Sequence, residues 1–187
     1  MAENDFDIIV IGGSSGCIPV LMQIIDAIPV NFSIPVVIII HRLRNVDSEL
    51  EIVLSSAKKI HEPEDKEPIN EHMIYLAPQN YHLLAEQDKT FGLDYSELVN
   101  YSRPSIDVAF MSISAVYREK TLGILLSGAN NDGAEGIDMI IRNGGRGIVQ
   151  DPATARCSVM PESALKINEK AEALTPDNIV KTIFNLN

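Results

Sequence analysis

Short, unbroken apolar runs alternate along the chain with longer stretches in which apolar residues recur every three or four positions. Asp7 to Gly12 reads D-I-I-V-I-G, a continuous apolar run closed by glycine. Such a run, with no polar alternation, predicts a strand buried on both faces of a parallel sheet. Gly12 to Gly16 form a tight loop. Pro19 then stands where a helix can begin, Leu21, Ile24, Ile25 and Ile28 follow at helical spacing, and Pro29 ends the helix. A second apolar run, Val36 to Ile40, ends at His41. Strand, loop, helix and strand in this order make a βαβ unit.

Glu49 to Lys59 reads as a further helix, and the charged, proline-bearing Glu62 to Glu71 as a surface loop. Met73 to Ala77, Tyr81 to Ala85 and Thr90 to Leu93 are short strand candidates with turn residues between them, which predicts hairpins. Helices are expected over Ile106 to Val116, Ala134 to Arg142, near Glu162 to Asn168 and over Asp177 to Phe184. Buried strands are expected at Leu122 to Leu126 and Gly147 to Gln150. The fold class is therefore α/β: a doubly wound, mostly parallel sheet with helices on both faces. With 187 residues, no repeat and no linker, residues 1–187 read as a single domain.

Composition narrows the functions open to such a chain. Its net charge of −11 repels a phosphate backbone, so neither nucleic acid nor an anionic lipid surface is an expected partner. The longest apolar run, Ile34 to Ile40, is far too short to span a bilayer. The opening M-A-E-N-D-F-D lacks the basic and apolar regions of a secretory signal, so the expected location is the cytoplasm. Two cysteines, Cys17 and Cys157, make neither a disulfide framework nor a zinc pattern. No metal and no cofactor are expected.

Chemistry concentrates at the ends of the buried strands. Gly12-Gly13-Ser14-Ser15-Gly16 fits the G-x-S-x-G nucleophile elbow and lies between a strand and a helix. A nucleophilic serine needs a sharp turn with small neighbours, and the following helix offers unpaired N–H groups to a developing oxyanion. The same glycines would also serve a dinucleotide-binding turn. However, G-x-G-x-x-G is missing, no acidic residue ends the second strand, and only His41-Arg42-Leu43-Arg44 offers cations for a 2′-phosphate. Tyr117-Arg118-Glu119-Lys120 also has the wrong spacing for the Y-x-x-x-K pair of short-chain dehydrogenases. His41 closes the second strand, where it can take a serine proton as general base. Asp132 lies in S-G-A-N-N-D-G after Leu122 to Leu126, where an aspartate can orient the imidazole, although N-D-G is also ordinary turn and helix-cap chemistry. His61, His72 and His82 fall in loop or hairpin regions and are read as structural.

These stretches resemble the CheB-type methylesterase domain of bacterial chemotaxis, from about Asp7 to about Ala173. I-G-G-S-S-G is similar to the family's serine loop, V-V-I-I-I-H-R to its strand ending in Q-H, and L-L-S-G-A-N-N-D-G to its L-T-G-M-G-x-D-G. A-P-Q-N-Y-H-L, Y-S-R-P-S-I-D-V-A-F and Q-D-P-A-T-A-R-C-S-V-M-P-E-S-A also find counterparts, in the same order. The resemblance implies a Ser14, His41 and Asp132 triad and an oxyanion hole from the backbone N–H groups of Ser15 and Ala129. It implies hydrolysis of glutamyl methyl esters, and deamidation of particular glutamines, on the cytoplasmic helices of methyl-accepting chemotaxis receptors. It also implies an antiparallel hairpin near the active site.

Three positions depart from the family pattern: Cys17 replaces its second glycine, Ala129 its methionine and Asn130 the glycine that follows. Cys17, beside a helix N-terminus, is open to a lowered pKa and a role as rival nucleophile, or to one as filler. Asn130 is open to altering a loop that needs positive φ, or to being tolerated there, since asparagine adopts that conformation more readily than most residues. A receptor-docking module without turnover stays open beside the esterase. Arg103, before a helix, is open to positioning a substrate or to a structural role. With only six residues before the first strand, the family's usual N-terminal receiver domain is not expected within these 187 residues, and a stand-alone esterase and a piece of a larger protein both stay open.

Overall fold

The computed structural model describes residues 6–42, 54 and 59–186. Seven strands form one sheet in the order β3-β4-β2-β1-β7-β8-β9, and each adjoining pair is parallel. They are β1 (Ile8–Gly13), β2 (Val36–Ile40), β3 (Ile60–His61), β4 (Ile74–Leu76), β7 (Thr121–Leu125), β8 (Arg146–Gln150) and β9 (Glu172–Leu174). Two more, β5 (His82–Ala85) and β6 (Phe91–Asp94), pair as an antiparallel hairpin outside the sheet. The helices are α1 (Ile18–Ala27), α2 (Ile106–Tyr117), α3 (Ala134–Arg142), α4 (Val159–Ile167) and α5 (Pro176–Phe184).

The unbroken apolar runs are explained by burial of both sheet faces. Ile9 and Ile11 point with Ile38 and Ile124 into a core under α1 and α5, whereas Ile8, Val10, Val37 and Ile39 face α2, α3 and the hairpin. Every residue of β1, β2 and β7 is buried. Each fully buried isoleucine or leucine contributes about 1.5–3 kcal/mol relative to exposure, so the three central strands anchor the molecule.

One expectation is corrected. Met73 to Ala77 is not part of a hairpin: its Ile74–Leu76 core pairs in parallel with β2 and β3. The hairpin is instead made by the other two candidates, whose residues Leu83, Ala85 and Phe91 close over Tyr75 from the α2 side. The helix expected at Glu49 to Lys59 falls outside the described residues except at Leu54, which is helical and buried, and Lys59. Strands β3 and β9 were not foreseen. No helix among the described residues is long and apolar enough to cross a membrane.

The strand order creates the place for a site. From the central β1, the chain builds outward through β2 and β4 on one side and through β7, β8 and β9 on the other. The loops after β1 and β7 therefore diverge at the carboxyl edge, the crevice where open α/β sheets hold their ligands.

Candidate active site

Register brings the first two residues together. Gly13 pairs with Ile40 across β1 and β2, so Ser14 and His41 each follow directly on paired positions. The His41 N–H donates back to the Gly13 carbonyl at 3.3 Å, which extends the ladder to the base of the serine loop. On the other side, Leu126 N–H donates to Gly12 O at 2.8 Å and Ser14 N–H to Ser127 O at 2.9 Å. Ser14 is thus held between β2 and β7 on the carboxyl rim, half-buried, with Ser15 exposed beside it.

His41 Nε2 lies 2.7 Å from Asp132 Oδ2. Asp132 is fully buried and His41 is only 12% exposed at its side chain. The carboxylate is surrounded by donors. Oδ2 also accepts the Ile106 N–H at 2.7 Å, while Oδ1 accepts Ser105 Oγ at 2.9 Å, Asn100 Nδ2 at 3.0 Å and the Asp107 N–H at 3.1 Å. Ser105 is the N-cap of α2, so Asp132 sits on the N-terminus of that helix, where unpaired N–H groups favour an anion. Burial alone would raise its pKa, but the hydrogen bonds from His41, Asn100 and the two amides outweigh burial and hold the carboxyl below the usual carboxylate range. An ionised Asp132 has no proton to give. Nε2 must therefore carry the hydrogen, and Nδ1 of the neutral ring keeps its lone pair.

Asp107 lies close behind. Its Oδ2 accepts from Asn100 Nδ2 at 2.8 Å and its Oδ1 from the Gly136 N–H at 2.7 Å. Burial, and then the Asp132 charge against the relief from Gly136, push its carboxyl well above the ordinary value. One carboxamide therefore separates two buried acids.

The loops around Ser14 are organised by Ser127. Its amide donates to Gln150 Oε1 at 3.0 Å, and its hydroxyl donates to Ser15 O at 2.7 Å and accepts the Cys157 N–H at 2.9 Å. Gly128 N–H is committed to Cys157 O at 3.1 Å. Among the described residues, the N–H groups of Ser15 and Ala129 make no hydrogen bond, and both residues are exposed on this rim. Gly16 has φ +83°, and the stem of Arg156 packs against it so closely that a side chain there would begin 2.6 Å from Arg156 Cβ.

The departures from the family pattern resolve on local geometry. Cys17 is fully buried against Gly13, and burial pushes its thiol up to about 12 rather than down, so it is core filler. Asn130 does not take positive φ. Its Oδ1 accepts the Asp132 N–H at 3.3 Å, a short turn that fixes the approach to the carboxylate. Arg103 serves the structure: Nη1 donates to the Tyr95 carbonyl at 3.1 Å and to the Ser96 carbonyl, with the guanidinium 3.9 Å from the Tyr95 ring centre. His61 pairs with Glu67 and His72 with the Phe32 carbonyl. The buried His82 bridges the Glu97 carbonyl and the Ser105 N–H, so the hairpin reaches the shell of Asp132 through it.

Asn100, Ser105, Asp107 and Ser127 escaped the sequence reading. A signal existed for Ser105 and Asp107, since serine followed by an acidic residue at the head of an apolar helix is an N-cap pattern. Asn100 and Ser127 carry no local signal.

Comparison with known proteins agrees with this architecture. The CheB methylesterase family pattern matches residues 9–183. A Leptospira interrogans protein, provisionally described as a protein-glutamate methylesterase/protein-glutamine glutaminase, is 44% identical over 184 residues, which is 97% of this chain and 95% of that protein. The protein-glutamate methylesterase/protein-glutamine glutaminase 1 of Carboxydothermus hydrogenoformans is 33% identical over 190 residues, covering 98% of this chain but 56% of that longer protein. The crystal structure of the Thermotoga maritima CheB methylesterase catalytic domain superposes with a TM-score of 0.89 at 30% identity, covering 97% of this chain and 99% of that one. With the matched pattern spanning all seven strands of the sheet, the chain belongs to the CheB methylesterase family.

Proposed function

We propose that this chain is a protein-glutamate methylesterase, and a glutamine deamidase at the same site, acting on the cytoplasmic helices of chemotaxis receptors through Ser14, His41 and Asp132. The names of its relatives support the reaction and the substrate class. The observation that carries the residue assignment is the 2.7 Å contact between His41 and a buried, donor-saturated Asp132 on the rim where Ser14 ends β1.

Ser14 Oγ attacks the ester carbonyl as His41 Nδ1 takes its proton. The oxyanion that forms is met by the uncommitted N–H groups of Ser15 and Ala129. Preorganised donors of this kind act where charge develops. The imidazolium is stabilised by Asp132 and returns the proton to the departing methoxide, so methanol leaves and a glutamyl–serine ester remains. Water, deprotonated by His41, then cleaves that ester and restores glutamate and free Ser14. With a glutamine side chain, ammonia leaves in place of methanol.

The test is methanol release from receptor fragments carrying labelled glutamyl methyl esters. Release that falls about 10³-fold or more in Ser14→Ala and in His41→Ala supports the assignment, because members of such a triad act as a unit. Full activity in Ser14→Ala would remove that serine from the mechanism. Tight receptor binding without any turnover would identify a docking module instead.

A further inference from the structure

The turn that ends with Ser102 has a shape suited to one task. Val99 and Ser102 exchange backbone hydrogen bonds at 2.9 and 3.2 Å around Asn100 and Tyr101, whose φ values are 50° and 62°. A two-residue hairpin turn of this hand requires positive φ at both centres and favours asparagine at the first. The turn sends Tyr101 almost wholly into solvent, at 97% exposure, and sends the Asn100 carboxamide inward. There Nδ2 reaches Asp107 Oδ2 at 2.8 Å and Asp132 Oδ1 at 3.0 Å. Only a group with two hydrogens on one atom can serve both oxygens at once. A hydroxyl has one hydrogen, and a carboxylate has none.

We infer that Asn100 is a positioning residue of this site: its carboxamide is wedged between Asp107 and Asp132 and holds the Asp132 carboxylate in the plane that presents Oδ2 to His41. Asp107 is the anchor of the wedge, itself pinned by the Gly136 N–H at the start of α3. The inference rests on the proposed triad, because Asn100 acts only through Asp132. Without the wedge, the two buried acids lose the donor that spaces them, and the Asp132 carboxylate turns toward Asp107 and its remaining partners, Ser105 and the Ile106 and Asp107 amides. His41 then loses its fixed orientation at the step where the imidazolium forms.

The experiment compares the wild type with Asn100→Ala, Asn100→Asp and Asp107→Asn, following methanol release from methyl-esterified receptor fragments, with thermal melts of each variant. Asn100→Ala is expected to lower kcat about 10-fold with KM within about twofold, since the interaction is spent on the transition state. Asn100→Asp, the closest in size, is expected to fall below Asn100→Ala, because a carboxylate in place of the donor repels the ionised Asp132. A merely structural side chain would rank the two the other way. The same added charge favours the protonated imidazole, so the acid limb of kcat/KM should move to higher pH in Asn100→Asp. Asp107→Asn, which leaves the wedge only one acceptor, is expected to lose about threefold to tenfold in kcat. Folded Asn100→Ala and Asp107→Asn proteins with wild-type kcat would overturn the inference, as would Asn100→Asp that outperforms Asn100→Ala. Ser14→Ala in the same assay separates the two levels. If it retains activity, the triad itself is wrong. If it is inactive while the Asn100 variants are unimpaired, only the wedge is wrong.

Discussion

His41 meets Asp132 through Nε2, at 2.7 Å, and not through Nδ1. In the familiar serine-protease triad the carboxylate holds Nδ1 and the serine faces Nε2. Here the carboxylate holds Nε2 instead, so the proposed triad assigns Nδ1 to the serine. His41 and Ser14 leave neighbouring parallel strands side by side, while Asp132 comes from the loop beyond β7, behind the imidazole.

Asp132→Asn is the sharpest check on that arrangement. The amide would set an NH₂ or a weakened acceptor among the donors from His41, Asn100, Ser105, Ile106 and Asp107. At least one buried donor is left unmet, at a cost of about 1–3 kcal/mol in stability. Esterase activity should fall about 10³–10⁴-fold, because the imidazole loses both its tautomer and the charge that stabilises its protonated form. Chemical denaturation and methanol release measure the two effects separately. A stable variant with a tenth of wild-type activity would contradict the role given to Asp132.

Asp107 and Asp132 shape acid stability in opposite directions. Asp107 is raised from 3.8 to about 7 by burial and the adjoining charge. The folded protein therefore keeps a proton that the unfolded chain releases, and the stability this brings is complete below the unfolded value and lost as pH rises toward 7. Asp132 is depressed, so its contribution is present above the unfolded value and disappears as pH falls through the folded one. The thermal midpoint should peak in mildly acidic buffer and decline between about pH 5 and 7, and that decline should flatten in Asp107→Asn. A midpoint that climbs steadily across this interval in the wild type would refute the placement of Asp107.

How legible these features were depended on distance along the chain. Ser14 and His41 could be found because each closes an apolar run, and a run buried on both faces announces its own end. Their adjacency followed from β1 and β2 being consecutive. The pairing of Ile74–Leu76 was not legible, since three residues carry no periodicity and the turn residues around them suit a hairpin equally well. Strand β9, Glu172–Leu174, was hidden for another reason: it is an edge strand with two exposed residues and no apolar run. Asn100 reads as a turn residue and nothing else, and its chemical partners lie 7 and 32 positions away. For Cys17 the sequence left a nucleophile and a filler both open, because a helix N-terminus lowers a thiol pKa only where the thiol can meet solvent or charge, and the packing against Gly13 that decides for filler could not be seen from sequence.

That packing predicts a difference between the two cysteines. Cys17 is fully buried with its thiol pushed up to about 12, whereas Cys157 is partly exposed beside the Ser127 hub. A chromogenic disulfide reagent at neutral pH should titrate one thiol in the native protein and both after denaturation. Mass mapping should place the fast adduct on Cys157. Rapid native labelling of Cys17 would reopen its candidacy as a nucleophile.

Ser127→Ala tests whether the serine loop is held from below. The hydroxyl is fully buried, donates to Ser15 O and accepts from Cys157 N–H, so its removal strands a carbonyl on one loop and an amide on the other. Each unmet buried group costs about 1–3 kcal/mol, and part of that is recovered if the two loops relax. The backbone bond from Ser14 N–H to Ser127 O survives the substitution, so the elbow keeps its position while the Ser14–Ser15–Gly16 segment loses its tether. The Ser15 N–H is the donor most affected, because Ser127 held the carbonyl of that same residue. The expected outcome is a folded protein, about 1–3 kcal/mol less stable, whose kcat is reduced several-fold while KM changes little. Ser127→Cys, which keeps a weak donor at the same point, should fall between wild type and alanine in both measures. Unchanged stability in Ser127→Ala would mean that the two loops hold each other without the hydroxyl, and the hub would have to be reassigned to Gln150 and the backbone alone.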